Sequence, residues 1–283
     1  LHDAGLDIRG SDMAESSNTL TLRERGIPIH IGHSADNVTD DISFVIRTAA
    51  VHDDNPEVHE AHRRGIPVFE RTQAWGALMR GYQNALCISG THGKTTTTSM
   101  CTHIMMAAEK DPTVMIGGTL PLLKACHRVG KGNTIIMESC EYYNSFLALN
   151  PTIAVVLNIE ADHLDFFKDL EDIKHSFRCF AERVPEETGT VIANYDDANT
   201  MDALRGIARK VITFGLNAKA DVYAQNIVHR GSVSEFDIYH RGNYFARVTL
   251  HVPGIHNVRN ALAATAAAIV LGVSPNAVKY GLA

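Results

Sequence analysis

The chain has 283 residues, 45% of them hydrophobic and 20% charged, with a formal net charge of −6. That length and composition predict one large or two modest soluble domains with real cores, and they exclude a disordered chain or a broadly basic nucleic-acid binder. No apolar run reaches the roughly 18 residues of a membrane span, no signal-peptide pattern is present, and five cysteines without CxxC spacing fit reduced thiols in a cytoplasm.

Residues 1–5 read as the last turn of a helix closed by Gly5. Residues 6–8 then read as a short strand, with Gly10-Ser11-Asp12 as the turn that leaves it. A helix over 18–25 ends at Gly26 and Pro28. Short apolar runs follow at 29–31, 42–46 and 67–69, and a helix over 56–64 opens on Asn55 as its cap. Strands alternating with helices predict a parallel α/β first domain, residues 1–82, lacking an opening strand and phosphate turn. The sequence also stops at Ala283 without a polar tail and reads as a piece missing segments at both ends.

The second domain, residues 83–283, begins with a strand over 85–89 and a helix over 95–110. Strands are expected at 134–137, 153–158, 190–193 and 211–214, and helices at 142–149 and 170–182. Residues 222–252 alternate with period two around Arg230-Gly231 and Arg241-Gly242-Asn243, which predicts an antiparallel addition. An alanine-rich helix runs from 257 to 271.

Ser89-Gly90-Thr91-His92-Gly93-Lys94-Thr95-Thr96-Thr97 carries the chemistry. It follows a buried strand and opens a helix, so glycine N–H groups and the helix N-terminus can face phosphate oxygens. Lys94 would reach the β- and γ-phosphates and Thr95 would ligate Mg²⁺, although Ile88 replaces the first glycine of the full P-loop pattern. Bound Mg²⁺ needs carboxylates at strand ends. Glu138 closes one strand, and Asn158-Ile159-Glu160-Ala161-Asp162-His163 follows another. Alone, Glu138 is also a helix cap and His163 a structural histidine; their shared crevice raises the functional reading. His59 and His62, beside Arg63 and Arg64, read as a solvated helix face, and Cys140 lacks the setting of a nucleophile.

Taken together, Gly90 to Thr97, Glu138, the segment at 158–163 and His256-Asn257-Val258-Arg259-Asn260-Ala261 resemble the Mur ligases of peptidoglycan synthesis in order and spacing. Gly10-Ser11-Asp12, Ile31-Gly32-His33 and Asp54-Asn55-Pro56-Glu57 are similar to that family's nucleotide-sugar domain. The resemblance implies an incomplete Rossmann-like N-terminal domain and a central P-loop ATPase-type domain, with the C-terminal ligase domain absent. It further implies a cytoplasmic enzyme that joins L-alanine to UDP-N-acetylmuramate, using ATP and Mg²⁺ (or Mn²⁺) through an acyl phosphate.

In that reading Lys94, Glu138 and His163 are catalytic, and Thr95, Glu138 and His163 hold metal. Gly90, Thr91, His92, Gly93, Lys94, Thr95, Thr96, Asn257 and Asn260 take ATP, the two asparagines at its adenine. Ser11, Asp12, His33 and Thr48 take the UDP-sugar. Arg178 stands where several relatives carry a modified lysine. Lys94 is needed at the phosphates and not in a core, so folding should be little changed by its loss. The alternatives are a ligase that adds a tripeptide to the same UDP-sugar, a P-loop NTPase without ligation, and a truncated ATP- or UDP-sugar-binding remnant. The 283 residues alone are expected to bind Mg-ATP weakly and not to ligate.

Overall fold

The computed structural model describes residues 1–283, the side chain of Ala4 excepted. The chain divides into two units, Leu1–Trp75 and Gly76–Ala283. In the first, a 3₁₀ turn at His2–Ala4 closes on left-handed Gly5. There follow β1 (Gly10–Asp12), α1 (Ser17–Glu24), β2 (Ile29–Ile31), a 3₁₀ turn at Ala35–Asn37, β3 (Val45–Arg47), α2 (Pro56–Arg63) and β4 (Val68–Glu70). Helix α3 (Arg71–Met79) comes next in the chain.

β1 pairs with β2 and β3 with β4, both in parallel. The first strand therefore lies at 10–12, correcting the expectation of 6–8. Three-residue strands are fixed by their partner: Gly10 N–H donates to Pro28 O, and Gly32 N–H to Asp12 O. Asn55 caps α2 as expected, its Oδ1 accepting from the N–H groups of Glu57 and Val58, with Pro56 preset for the first helical position. His59 and His62 are exposed on that helix, in agreement with a solvated face.

The second unit runs β5 (Asn84–Ser89), α4 (Lys94–Ala107), β6 (Thr113–Leu120), β7 (Ala125–Arg128), β8 (Thr134–Glu138), a 3₁₀ turn at Tyr142–Ala148 and β9 (Ile153–Val156). It continues with α5 (Leu170–Glu182), β10 (Thr190–Asn194), α6 (Ala198–Ala203), β11 (Lys210–Gly215), β12 (Val222–Arg230), β13 (Val233–His240), β14 (Asn243–Leu250), α7 (Ile255–Val270) and α8 (Pro275–Leu282). One ten-stranded sheet has the order β14-β13-β12-β11-β10-β9-β5-β8-β6-β7. Pairing is parallel from β12 to β6, while β12-β13-β14 and β6-β7 are antiparallel. The antiparallel addition lies where the alternation at 222–252 placed it. The expected helix at 142–149 is instead a 3₁₀ turn broken by left-handed Tyr143 and Asn144.

All residues of β9 and β10 are buried, as continuous apolar strands covered on both faces must be. Leu86, Ile88, Val155 and Ile192 join the cluster under α4, α7 and α8. Side chains alternate along a strand, which leaves the intervening residues for the opposite face, where α5 packs on β9. There Phe146 stacks on Phe180 with ring centroids 4.6 Å apart, and Phe177 meets Phe146 edge-on. Among the described residues no helix is long and apolar enough to cross a membrane.

Phe180 is fully buried, so Phe180→Ala should destabilise the second unit by about 3–5 kcal/mol. A urea titration followed by circular dichroism measures this as a lowered midpoint.

Candidate active site

Strand β5 sits between β9 and β8, and the chain crosses from one side of it to the other. In an open α/β sheet, that reversal opens a crevice beyond the carboxyl ends of the strands. Residues 90–93 turn there between β5 and α4. Asn158, just past β9, fastens the turn. Its Oδ1 accepts from His92 N–H at 2.8 Å, its Nδ2 donates to His92 O at 3.0 Å, and its carbonyl accepts from Thr91 N–H at 3.0 Å. The Thr91 hydroxyl accepts from Glu160 N–H in return, at 2.9 Å. Gly93 caps α4 with φ of 86°, and a Cβ there would come within 2.6 Å of Asn260 Oδ1.

Lys94 begins α4 and turns back over the loop. Its ammonium donates to Gly90 O at 2.6 Å and Thr91 O at 3.3 Å, and to both oxygens of Glu141 at 3.1 and 2.9 Å. The Lys94 and Glu141 side chains are 14% and 3% exposed. No motif marks Glu141 in the sequence, and its role becomes visible only through this contact. Burial argues against folding being indifferent to Lys94, because removing the lysine would strand a buried carboxylate.

The Thr95 hydroxyl donates to Glu138 Oε1 at 3.0 Å, and Gly117 N–H donates to Oε2 at 2.7 Å. A Cβ at 117 would lie 2.6 Å from Glu138 Oε1, so a larger residue there would push that carboxylate aside. Thr96 is half-buried in the first turn of α4. His163 makes different contacts: Nε2 lies 3.7 Å from Glu141 Oε1, and its ring stacks on Tyr142 at 4.4 Å. Among the described residues no three His, Cys, Asp or Glu side chains converge as a metal cluster. Thr95 and Glu138 present oxygen donors, the kind Mg²⁺ takes when substrate phosphates complete its shell.

On α7, Asn257 Nδ2 donates to Pro253 O at 2.7 Å, and Asn260 Nδ2 donates to Asn257 Oδ1 at 3.1 Å. Asn260 reaches a crevice of about 480 Å³ lined also by His92, Gly93, Asn158, His256 and Arg259. Arg259 Nε is buried there without a hydrogen-bond partner and lies 3.7 Å from Asp196. Sequence spacing alone gives no role to Arg259 or Asp196.

In the first unit, Ser11 and His33 converge on Glu57. Glu57 Oε2 accepts from Ser11 Oγ at 2.5 Å and lies 3.2 Å from His33 Nδ1, while Asn37 Nδ2 donates to Oε1 at 2.6 Å. Asp12 is exposed and accepts from Ala14 N–H. Thr48 is exposed too, its carbonyl closing a turn with Val51. Neither of these two shares the hydrogen bonds on Glu57.

The fold and the loop define a phosphate-loop α/β protein. Residues 88–268 match the Mur ligase middle domain and residues 1–83 the Mur ligase family catalytic domain, so the chain belongs to the Mur ligase family. It is 43% identical over 283 residues to the UDP-N-acetylmuramate–L-alanine ligase of Caldicellulosiruptor saccharolyticus, covering 100% of this chain and 62% of that protein. Against the same-named ligase of Clostridium novyi the identity is 42% over 282 residues, covering 100% and 61%. The crystal structure of UDP-N-acetylmuramate-alanine ligase from Thermotoga maritima superposes with TM-score 0.82 at 30% identity, over 99% of this chain and 63% of that one. UDP-N-acetylmuramate:L-alanyl-gamma-D-glutamyl-meso-diaminopimelate ligase from Neisseria meningitides gives 0.86 at 25% identity, over 99% and 90%. The chain thus spans about 62% of the length of the curated relatives it matches.

Two stability measurements follow. Lys94→Ala should cost about 3 kcal/mol or more, seen as a lowered urea midpoint. Burial pushes the Glu57 carboxyl up, but hydrogen bonds from Ser11, Asn37 and His33 outweigh it and hold the group below the usual carboxylate range. That stabilisation is complete above the unfolded value of about 4.5 and is lost as pH falls through the folded one. Melting curves of Glu57→Gln should therefore show lower stability at neutral pH and a shallower acid decline.

Proposed function

We propose that the protein carrying this chain joins L-alanine to UDP-N-acetylmuramate at the expense of ATP, in peptidoglycan synthesis. The observation that carries the reading is the hydrogen bond from Thr95, at the start of α4, to Glu138, at the end of β8, beside the Lys94 ammonium folded over the loop, in a chain so similar to ligases of that name. The first unit, taken as the domain at 1–82, offers Ser11, Asp12, His33 and Thr48 to the UDP-sugar. The domain at 83–283 offers residues 90–96 to the ATP phosphates and Asn257 and Asn260 to adenine.

A carboxylate is a poor electrophile. Transfer of the γ-phosphoryl group to the lactyl carboxylate gives an acyl phosphate and ADP. The neutral amine of L-alanine then attacks the acyl carbon, forming the amide and expelling phosphate, with the amine's surplus proton lost to solvent. Lys94 supplies a fixed positive charge where phosphate charge builds up. Thr95 and Glu138 would hold Mg²⁺, and His163, an imidazole that suits Mn²⁺ better, would join a second cation with Glu138. Such a cation neutralises phosphate charge and polarises the phosphoryl oxygen.

The tripeptide-adding ligase is the second reading, favoured by the close superposition on the Neisseria enzyme. Incubating the whole encoded protein with ATP, UDP-N-acetylmuramate and either L-alanine or the tripeptide distinguishes them. Phosphate release should require L-alanine, and release with the tripeptide alone would select the rival. In that enzyme His163→Ala should raise the Mg²⁺ or Mn²⁺ concentration needed for half-maximal turnover. An unchanged metal midpoint beside a lowered Tm would leave His163 a packing residue.

A further inference from the structure

Around Lys94 Nζ four oxygens lie within 3.3 Å: Gly90 O, Thr91 O and both oxygens of Glu141. An ammonium has three N–H donors, so a phosphate that takes one must displace an oxygen already there. Carbonyls are neutral; the group that competes as an anion is the Glu141 carboxylate. It cannot swing into water, because its side chain is 3% exposed and its backbone is tied into the turn that follows. Asn144 N–H donates to Glu141 O at 2.9 Å, and Phe146 N–H to Cys140 O at 3.0 Å. His163 Nε2 lies farther off, 3.7 Å from Glu141 Oε1.

We propose that Glu141 is a positioning residue for Lys94: it holds the ammonium over the loop before nucleotide arrives and competes with incoming phosphates for it. This rests on the reading of the loop as an ATP site. Such a carboxylate orients the lysine and weakens ground-state phosphate binding in the same contact. Ligands without phosphate should not sense it.

Calorimetric titration of the 283-residue chain and its Glu141→Gln variant with Mg-ATP and with adenosine tests this. The variant should bind Mg-ATP about three- to tenfold more tightly, because a repelling charge is gone, and adenosine equally well. A merely structural role would weaken both. Unchanged or weakened Mg-ATP binding by the folded variant overturns the proposal. If Glu141→Gln alone does not fold, Glu141→Asp, whose shorter side chain draws the carboxylate back from Lys94, takes its place. It should tighten Mg-ATP and leave adenosine unchanged, and no gain overturns the proposal. A parent chain that binds no Mg-ATP overturns the ATP reading together with it, whereas a binding parent without the gain overturns this proposal alone.

Discussion

The site depends on a side-chain amide holding a main-chain peptide. Asn158 presents both its acceptor and its donor to His92 and so supplies, from the end of β9, the pairing that a loop residue lacks. The Thr91 and His92 N–H groups are bound to Asn158, so the turn between β5 and α4 is anchored to the neighbouring strand end rather than within itself. Its shape is then inherited from the β5-β9 pairing beneath it, where Leu86 to Ser89 lie in register with Ile153 to Val156.

The same economy extends to charge. Taking an ammonium and a carboxylate out of water is costly, and a buried pair adds stability only where its geometry is good. Lys94 and Glu141 meet that condition with two short contacts and two further carbonyls. Glu138 is restrained in another way, by one hydroxyl and one main-chain N–H, and keeps lone pairs in reserve. Two carboxylates three residues apart thus occupy different electrostatic settings, one spent on a lysine and one open to a further ligand.

Much of this was legible in the sequence, and the gaps have physical causes. Strands β5, β8, β9, β10 and β11 announced themselves as apolar runs, and the hairpins of β12 to β14 by alternation and glycine turns. Strand β6 did not, because Gly117 and Gly118 interrupt it, the first of them with its N–H on Glu138. Helices α6 and α8 were missed, being only six and eight residues long and carried by a cap and by tertiary packing. Glu141 gave no local signal of its role, and the motif holding Glu57 gave none of its partners. Their partners lie 47 and 46 residues away along the chain, and such pairings are set by the fold rather than by spacing.

The central sheet also has two rims. Strand β7 is four residues long and carries His127 and Arg128, while β14 bears Arg247, whose guanidinium reaches back to Glu235 and Asp237 on β13. Short length and fixed charge discourage a foreign strand from annealing to a free edge. The antiparallel ends, remote from the chemistry, therefore present the sheet with edges that disfavour strand-to-strand annealing.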